Sequence, residues 1–510
     1  MCGISGVWYG QKLEKPSSTS LYSQQVASMM QHLVHRGPDA SGMYHSAHGV
    51  LGHRRLAIMD PEEGHQPYKT DNDSVSLVAN GEIYNWRSLR ERTAHYPFCT
   101  QADTEVAVPL FRQQGAQAAA MLDGMFALAY SRGDELLLAR DPIGIKPLYY
   151  SRQQDAHGER LYFASEMKAL LELNSPIATL EPGSTYSSRN GQQRYYRVPS
   201  YPEREPMDAA QAISEVRSTL ERAVHKRLMS DVPLGAFLSG GLDSSIIAAI
   251  AKAHMGELHT FSVGMEGAPD LEAARRVAAH LDTIHHEYIF SQDEVRQALP
   301  EVMYALESFD QDLVRSVIPT YFTSRLAAEH VKVILTGEGA DELFAGYSYY
   351  RNYRDPEALQ RELHRSITSM HNVNLQRVDR ITMAHSIEGR VPFLDLEMID
   401  LAARIPPQLK LYQDGSKQIE KWVLRKAFED MLPSDIVWRD KAQFDEGSGT
   451  VDMLEHFIHE ATHDKDSQAF RQARPHAKLR SKEEAYYYSI FEDVFDKPEL
   501  MLENIGRWAQ

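Results

Sequence analysis

The chain has 510 residues, a formal net charge of −17 and 43% hydrophobic residues. That length allows several domains with buried cores, and the acidic balance disfavours nucleic-acid binding, which usually needs a basic surface. The two cysteines, Cys2 and Cys99, exclude a disulfide framework and a cysteine-based zinc site, and they fit a reducing compartment such as the cytoplasm. No signal-peptide pattern and no run of 18 apolar residues occurs, so we expect neither export nor a membrane span.

The chain starts with Met1-Cys2-Gly3, so removal of one residue makes Cys2 the amino terminus. A terminal cysteine carries a thiol nucleophile and an α-amine base on the same residue. These two groups are the minimum needed to attack an amide. The alternative is an ordinary cysteine in a first β-strand.

The first part of the chain is rich in predicted strands. Short apolar runs bounded by turn residues predict strands at 76–79, 125–130 and 135–139. Helical spacing of apolar residues intervenes at 21–33 and 104–113. This mixture predicts an α+β layered domain.

A change of pattern suggests the domain boundaries. The proline-rich polar stretch at 198–207 predicts a linker between a first domain, 1–197, and a second, 208–510. In the second domain, apolar strands at 234–238, 258–263 and 331–335 alternate with helical patterns at 208–228, from 244 onward and at 271–281. Such alternation predicts an α/β doubly wound parallel sheet. Its ligands lie at the carboxyl ends of the strands, where the glycine-rich loops 239–241 and 336–339 fall.

The first of these loops reads Ser239-Gly240-Gly241-Leu242-Asp243-Ser244-Ser245. Glycines permit a tight turn, and the N–H groups at the start of a helix favour an anion. The Walker A pattern is absent; a plain turn with Asp243 or Ser244 as helix cap is the alternative. The string resembles the PP-loop of ATP pyrophosphatases, which implies that ATP is cleaved between its α and β phosphates to adenylate a substrate. The same resemblance implies that Ser239, Gly241, Asp243 and Ser244 hold pyrophosphate and its magnesium.

Several segments of the first domain resemble class II glutamine amidotransferases, which have the N-terminal-nucleophile fold. They are His35-Arg36-Gly37-Pro38-Asp39, His53-Arg54-Arg55-Leu56-Ala57-Ile58, Asn80-Gly81-Glu82-Ile83-Tyr84-Asn85 and Ala102-Asp103-Thr104-Glu105. Thiol attack on an amide creates an oxyanion that needs preorganised donors, which the Asn80 side chain and the Gly81 N–H can supply.

The resemblance also suggests how glutamine is recognised. Arg55 can bind its α-carboxylate bidentately, Asp103 can pair with its α-ammonium, and Glu82 belongs to the same implied site. Each residue has an ordinary alternative. Arg55 can be a surface arginine, Asn80-Gly81 a hairpin turn and Asp103 a helix cap.

A glutaminase half followed by a PP-loop half resembles glutamine-hydrolysing asparagine synthetases of the B type. The segments from Thr336 to Tyr347, from Trp438 to Phe444 and from Ser481 to Tyr486 extend this resemblance to nearly the whole chain. It implies that ATP and Mg²⁺ activate aspartate as β-aspartyl-AMP, which ammonia from glutamine then attacks. It also implies a cytoplasmic homodimer.

The resemblance implies roles for individual residues of the second domain. Glu338 positions or deprotonates ammonia, Lys441 balances phosphate charge, and Asp243 and Asp341 bind magnesium. Arg315, Glu338 and Asp341 are implied contacts of the acceptor. The implied nucleotide contacts are Leu238, Ser239, Gly240, Gly241, Asp243, Ser244, Ser245, Val263, Thr336 and Gly337.

One stretch departs from the family pattern. Members often carry Thr-Thr-Ile-Arg where this chain has Asp312-Leu313-Val314-Arg315. Amidation of a different carboxylate is therefore an alternative. A glutaminase with an inactive ligase half, or a noncatalytic protein, would predict loss of motifs that are intact here.

Three arginines and one pair of histidines can each serve either a ligand site or the fold. Arg377, Arg380 and Arg390 are candidates for binding an acidic substrate, or equally for ion pairs within the fold. The string His285-His286-Glu287 suggests a metal site, but adjacent residues of a strand point to opposite faces, which favours a structural role.

Overall fold

The computed structural model describes residues 2–10, 16–70, 75–155, 158–201, 207–439, 447–450, 453–454, 457–458 and 467–508. Within these ranges, no helix is both long and apolar enough to cross a membrane. The predicted linker at 198–207 lies partly outside them, and Lys441 lies wholly outside.

The first half consists of antiparallel strands with few helices. The strands are β1 (Cys2–Trp8), β2 (Ala40–His45), β3 (Gly49–Arg55), β4 (Tyr68–Lys69), β5 (Val75–Ile83), β6 (Gly124–Arg132), β7 (Glu135–Arg140), β8 (Tyr149–Asp155), β9 (Gly158–Ala164), β10 (Ile177–Thr179), β11 (Ser184–Ser187) and β12 (Gly191–Arg194). They form two six-stranded sheets, in the orders β10-β8-β9-β1-β3-β2 and β12-β11-β7-β6-β5-β4. The helices of this half are α1 (Pro16–Gln31), α2 (Trp86–Arg92) and α3 (Ala107–Gln114).

Alternation along the strands builds the layers. In β1, Trp8 packs in the core between the two sheets while Val7 packs against α1 on the outer face. In β5, Val78 faces the same inner core, and Leu77 packs on the other side with residues of α3. The result is a helix–sheet–sheet–helix arrangement, which confirms the predicted layered α+β sandwich.

The second half is built on a parallel sheet. Its strands are β13 (Leu234–Phe237), β14 (His259–Gly264), β15 (Ile284–Ile289), β16 (Val333–Leu335) and β17 (Glu388–Arg390), followed by a hairpin of β18 (Tyr412–Asp414) and β19 (Lys417–Ile419). The helices are α4 (Ala209–Lys226), α5 (Leu242–His254), α6 (Pro269–Leu281), α7 (Gln292–Leu306), α8 (Gln311–Ala328), α9 (Ala340–Phe344), α10 (Pro356–Ser369), α11 (Asn374–Ala384), α12 (Leu396–Arg404), α13 (Pro407–Lys410), α14 (Trp422–Ala427), α15 (Ser434–Val437), α16 (Ser467–Gln472) and α17 (Lys482–Val494). The sheet order β15-β14-β13-β16-β17 confirms the doubly wound topology.

This strand order positions a ligand site. The chain adds β14 and β15 on one side of β13 and then returns to add β16 and β17 on the other. The loops after β13 and β16 therefore flank the point where the winding direction reverses. Crevices at this point, beyond the carboxyl ends of the strands, are the usual ligand sites of such sheets.

One predicted helix is split in the structure. Residues Asp103–Val106 form a 3₁₀-helix, and the regular α3 begins only at Ala107. An α-helix starting at 104 would need an N–H on Pro109 to bond the carbonyl of Glu105, and proline has none.

A fully buried ion network joins the two halves. Arg380 of α11 lies 3.2 Å from a carboxylate oxygen of Glu166 and 3.0 Å from one of Glu307. Arg36 bridges Glu166 and Asp379 at 2.6 and 2.8 Å. Because Glu166 and Arg36 belong to the first half and the other three residues to the second, these charges set how the halves dock.

Replacing Arg380 by methionine is expected to destabilise the fold by about 3–5 kcal/mol, because the buried carboxylates of Glu166 and Glu307 each lose a paired cation. Arg404→Met is the matched control, since Arg404 pairs with Asp400 at the surface, where a pair is worth at most about 1 kcal/mol. Calorimetric melting of both variants checks this. Equal shifts in melting temperature would contradict the role assigned to the buried network.

Candidate functional site

The first candidate centre is formed by β1 and β5. The Cys2 backbone nitrogen donates a hydrogen bond to Asn80 Oδ1 at 2.9 Å. The Asn80 Nδ2 atom is buried and, among the described residues, has no hydrogen-bond acceptor. Burial raises the pKa of the Cys2 thiol, so the thiol needs a neighbouring base to become a nucleophile. The structure thus places a buried thiol beside an amide donor that is available to an incoming group.

The residue after Asn80 requires glycine. Gly81 has φ of 144°, and a β-carbon here would lie 1.9 Å from the carbonyl oxygen of Met125 on the neighbouring strand. Glycine at this position lets β5 take up this backbone conformation and approach the neighbouring strand β6 closely. A residue with a β-carbon would be strained here.

The predicted glutamine-binding residues lie close to these groups. Arg55 pairs with Cys2 across the sheet and donates to the carbonyls of Met59, Asp60 and Pro61. The loop at 59–61 therefore holds the guanidinium in place.

Two buried acids complete this centre. Asp103 Oδ2 accepts from the Ile83 N–H at 2.5 Å, and burial raises the pKa of Asp103 to about 7. Burial, followed by Asp103 and Glu388, also raises the pKa of Glu82, although Arg390 of the second half lies 3.6 Å away. A cation such as an α-ammonium group placed beside these acids would stabilise their charged forms.

The second candidate centre is a cavity of about 840 Å³ beyond the carboxyl ends of β13, β14 and β16. Most of the predicted nucleotide and acceptor contacts line it. They are Leu238, Ser239, Gly241, Asp243, Ser244, Val263, Arg315, Thr336, Gly337, Glu338 and Asp341.

The loop at 239–245, called the serine loop below, is organised by its own hydroxyl groups. Ser239 Oγ and Ser244 Oγ are 3.0 Å apart, and the Gly241 N–H donates to Ser239 Oγ at 3.3 Å. Gly240 and Ser245 are not among the cavity-lining residues. Gly240 has φ of 72°, and a β-carbon there would lie 2.5 Å from that of Ala273 in α6. Ser245 donates to the Gly241 carbonyl at 2.7 Å, so both residues shape the loop.

Lys421 is a cavity residue that sequence reasoning missed. Its Nζ lies 2.5 Å from Asp243 Oδ2 and 2.5 Å from Asp341 Oδ1. Burial disfavours the charged ammonium, but the two carboxylates raise the pKa of Lys421 above its usual value. Lys421 stands 178 residues from Asp243 in the chain and lies outside the motifs singled out in the sequence.

Glu338 is held by two residues of α11. Asn374 Nδ2 donates to Glu338 Oε1 at 2.9 Å, and Arg377 donates to Glu338 Oε2. Burial and the neighbouring Glu338 and Asp341 raise the pKa of Glu342 to about 8. Of the three arginines considered for substrate recognition, Arg377 lines the cavity.

The other two arginines pair with buried carboxylates. Arg380 pairs with Glu166 and Glu307, and Arg390 pairs with Glu388 at 2.6 Å. The ion-pair interpretation therefore holds for both.

The stretch that departs from the family pattern forms part of the cavity wall. Asp312 and Arg315 line the cavity, whereas Leu313 is buried away from it. Arg315 forms a bidentate ion pair with Glu483 of α17, in which Nε lies 2.8 Å from Oε1 and Nη2 lies 2.6 Å from Oε2. Of the residues that depart from the family pattern, Asp312 therefore lies on the cavity wall and Leu313 does not.

The carboxylates of Asp243 and Asp341 are hard oxygen donors of the kind that could hold a magnesium ion. In this structure they meet at the ammonium group of Lys421. Asp243 Oδ1 is buried without a hydrogen-bond partner among the described residues. Lys441 lies outside the described residues, but Arg439, two positions earlier, lines the cavity and pairs with Asp270 at 2.9 Å.

Comparison with known proteins finds a matching family for each half of the chain. The family described as asparagine synthase matches residues 215–356 and 351–505, and the glutamine amidotransferase domain matches residues 1–197. The chain is 38% identical to asparagine synthetase [glutamine-hydrolyzing] 2 of Arabidopsis thaliana, over 98% of this chain and 88% of that protein. It is also 38% identical to asparagine synthetases [glutamine-hydrolyzing] of Zea mays and Asparagus officinalis, in each case over 97% of this chain and 86% of the relative. The chain belongs to the glutamine-hydrolysing asparagine synthetase family.

Proposed function

We propose that this chain makes asparagine from aspartate, using glutamine as amide donor and ATP as the activating substrate, with glutamate, AMP and diphosphate as the other products. The observation that carries the proposal is the cavity in which the serine loop, Glu338 and Lys421 converge. The same chain holds Cys2 against Asn80 at a separate centre. Family membership supports both halves of the reaction.

The first half-reaction takes place at Cys2. Removal of Met1 turns the Cys2 nitrogen into an α-amine, which Asn80 Oδ1 orients and which accepts the proton of the thiol. The sulfur attacks the side-chain amide carbon of glutamine, and Asn80 Nδ2 and the Gly81 N–H stabilise the oxyanion. Collapse of the intermediate releases ammonia and leaves a thioester, which water hydrolyses to glutamate. Arg55, Glu82 and Asp103 hold the α-groups of glutamine.

The second half-reaction takes place in the cavity. A β-carboxylate oxygen of aspartate attacks the α-phosphorus of ATP, and diphosphate leaves. Lys421, and Lys441 as the sequence motif implies, balance the phosphate charge. Ammonia then attacks the carbonyl carbon of β-aspartyl-AMP, Glu338 accepts a proton from it, and AMP leaves. Arg315 and Asp341 are our proposed acceptor contacts.

Asp243 and Asp341 are the residues that would hold magnesium. Bound there, the ion supplies positive charge that neutralises the phosphates of ATP. Lys421 keeps the two carboxylates together.

Ammonia must pass between the two centres within the protein, since in water at neutral pH it would be protonated. Met125, Ile143 and Ile145 of the first half pack in one buried apolar cluster with Leu234 and Leu238 of the second. This shared core is our proposed route. On the family resemblance we also propose a cytoplasmic homodimer, with the domains divided at 198–207.

A product assay tests the proposal. Purified protein with MgATP, glutamine and aspartate is expected to form asparagine, glutamate, AMP and diphosphate in matched amounts. Glutamate without asparagine or AMP would reject aspartate as the acceptor and leave only the glutaminase half.

Replacing Asn80 by alanine is expected to lower the turnover of glutamine by about 10²–10³-fold, the usual cost of losing one oxyanion donor. Synthesis from added ammonia should not change, because the cavity-lining residues all belong to the second half. Asn85→Ala is the control, since Asn85 bonds the backbone at Met121 and Asp123. If glutamine turnover is lost equally in both variants, Asn80 serves the fold and not the oxyanion.

A further inference from the structure

Three histidines gather at the amino-terminal edge of the parallel sheet, opposite the serine loop. His259 is the first residue of β14, His286 lies in the first half of β15, and His330 follows α8 just before β16. They come from three separate segments of the chain. The nucleotide cavity lies beyond the other end of the same strands, where Val263 of β14 lines it.

The side chains of these histidines approach one another closely. His259 Nδ1 and His286 Nε2 are 2.9 Å apart, and the rings of His286 and His330 stack with centroids 3.9 Å apart. One nitrogen from each ring lies within 4.8 Å of the other two. Phe261 stacks on His286 at 5.0 Å and backs the cluster with an apolar surface.

This spacing suits a metal with imidazole ligands. A zinc–nitrogen bond of about 2.0–2.1 Å in tetrahedral geometry places two ligand nitrogens about 3.4 Å apart. The rings are stacked, so binding one ion requires them to rotate apart until a nitrogen of each points at the ion. His330 is exposed and the other two are half-buried, so an ion can enter from solvent and keep water as its fourth ligand.

The contacts of His285, the neighbour of His286, explain why the sequence favoured a structural role for this pair. His285 lies on the opposite face of β15, where it bonds the hydroxyls of Thr260 and Ser262. Adjacent histidines do point to opposite faces, as expected. His286 finds its partners on β14 and after α8 instead, which the string His285-His286-Glu287 does not reveal.

We propose that His259, His286 and His330 bind one divalent transition-metal ion of the zinc class. Imidazole nitrogens select such ions, whereas the carboxylates of Asp243 and Asp341 select magnesium. The bound ion would link β14, β15 and the segment after α8. Because α8 also carries Asp312 and Arg315 of the cavity wall, the ion would stabilise the frame on which the nucleotide site is built.

The test is calorimetric titration of the full-length protein with Zn²⁺ in excess Mg²⁺, after removal of metals with a chelator. A background with Cys2→Ser and Cys99→Ser removes both thiols as competing ligands. We expect one tightly bound equivalent of Zn²⁺ and a rise in melting temperature. Loss of an outer-shell partner of a metal site costs about 10–100-fold in affinity. The affinity for Zn²⁺ should fall by more than this in His286→Ala and in His330→Ala, because each loses a direct ligand.

His285→Ala is the matched control and should bind Zn²⁺ as the parent does. Ammonia-dependent asparagine synthesis shows that each variant is folded. If His286→Ala loses this activity, the Zn²⁺ affinity of His330→Ala tests the proposal, because His330 is exposed and its replacement disturbs the fold least. Co²⁺ offers a second readout, since a tetrahedral site gives visible absorption bands that should vanish with either histidine. Equal Zn²⁺ affinity in the parent and in His330→Ala would overturn the proposal.

Discussion

Cys2→Ala should lose glutamine-dependent asparagine synthesis by about 10⁴-fold or more, because the nucleophile is gone and no other group replaces it. Ammonia-dependent synthesis should remain unchanged. Cys2 lies in β1 of the first half, while the residues lining the nucleotide cavity begin at Phe237. Steady-state rates with glutamine and with ammonium chloride, each at saturating MgATP and aspartate, measure the two activities.

The second cysteine provides the control for this experiment. Cys99 is exposed, so Cys99→Ala should keep both activities. If Cys2→Ala lost both activities equally, the assignment of two chemically separate centres would be wrong.

Lys421→Met should lower synthesis from both ammonia and glutamine by about 10²–10³-fold, the magnitude expected when a preorganised electrostatic group is removed from a site of phosphate chemistry. Without the ammonium, Asp243 and Asp341 present two uncompensated carboxylates to the phosphates of ATP. Release of diphosphate in the presence of ammonia and aspartate measures the adenylation step directly.

The controls for Lys421 separate chemistry from folding. Lys426 lies on α14, the helix that Lys421 immediately precedes, and pairs with Glu429 at the surface, so Lys426→Met should keep full activity. Formation of glutamate by Lys421→Met reports on Cys2 and should persist if the protein is folded. Unchanged diphosphate release in Lys421→Met would remove this lysine from the proposed mechanism.

Much of the fold was predictable because its signals are local. Strands such as β13 and β14 and helices such as α4 and α6 follow from apolar spacing within ten or twenty residues. The alternation of strands and helices predicts parallel pairing without knowledge of any contact. The predicted helix at 104–113 is split because Pro109 has no N–H to bond the carbonyl four residues earlier.

The motif-borne site residues were predictable for the same reason. Asn80 and Gly81 are adjacent in one short motif, and Ser239 and Asp243 lie four positions apart in another. The residue types in each motif suggest its chemistry without knowledge of the fold. The structure places Asn80 and Gly81 in a buried centre and Ser239 and Asp243 in the cavity wall. Their roles stay predictions, as do Lys441 and the magnesium site.

Side chains that act across long separations could not be assigned from the sequence. A lysine, an arginine or a histidine looks the same in a chain whether it pairs in the core, lines a cavity or meets another histidine, because the deciding partner is remote in sequence. Lys421 meets Asp243 through a gap of 178 residues, and Arg377 and Arg380, on one helix, have different partners. His286 meets His330 because α8 packs on β14 and β15 and brings the residue that follows it beside His286. Electrostatic energy depends on distance in space and on burial, and both come from the folded chain.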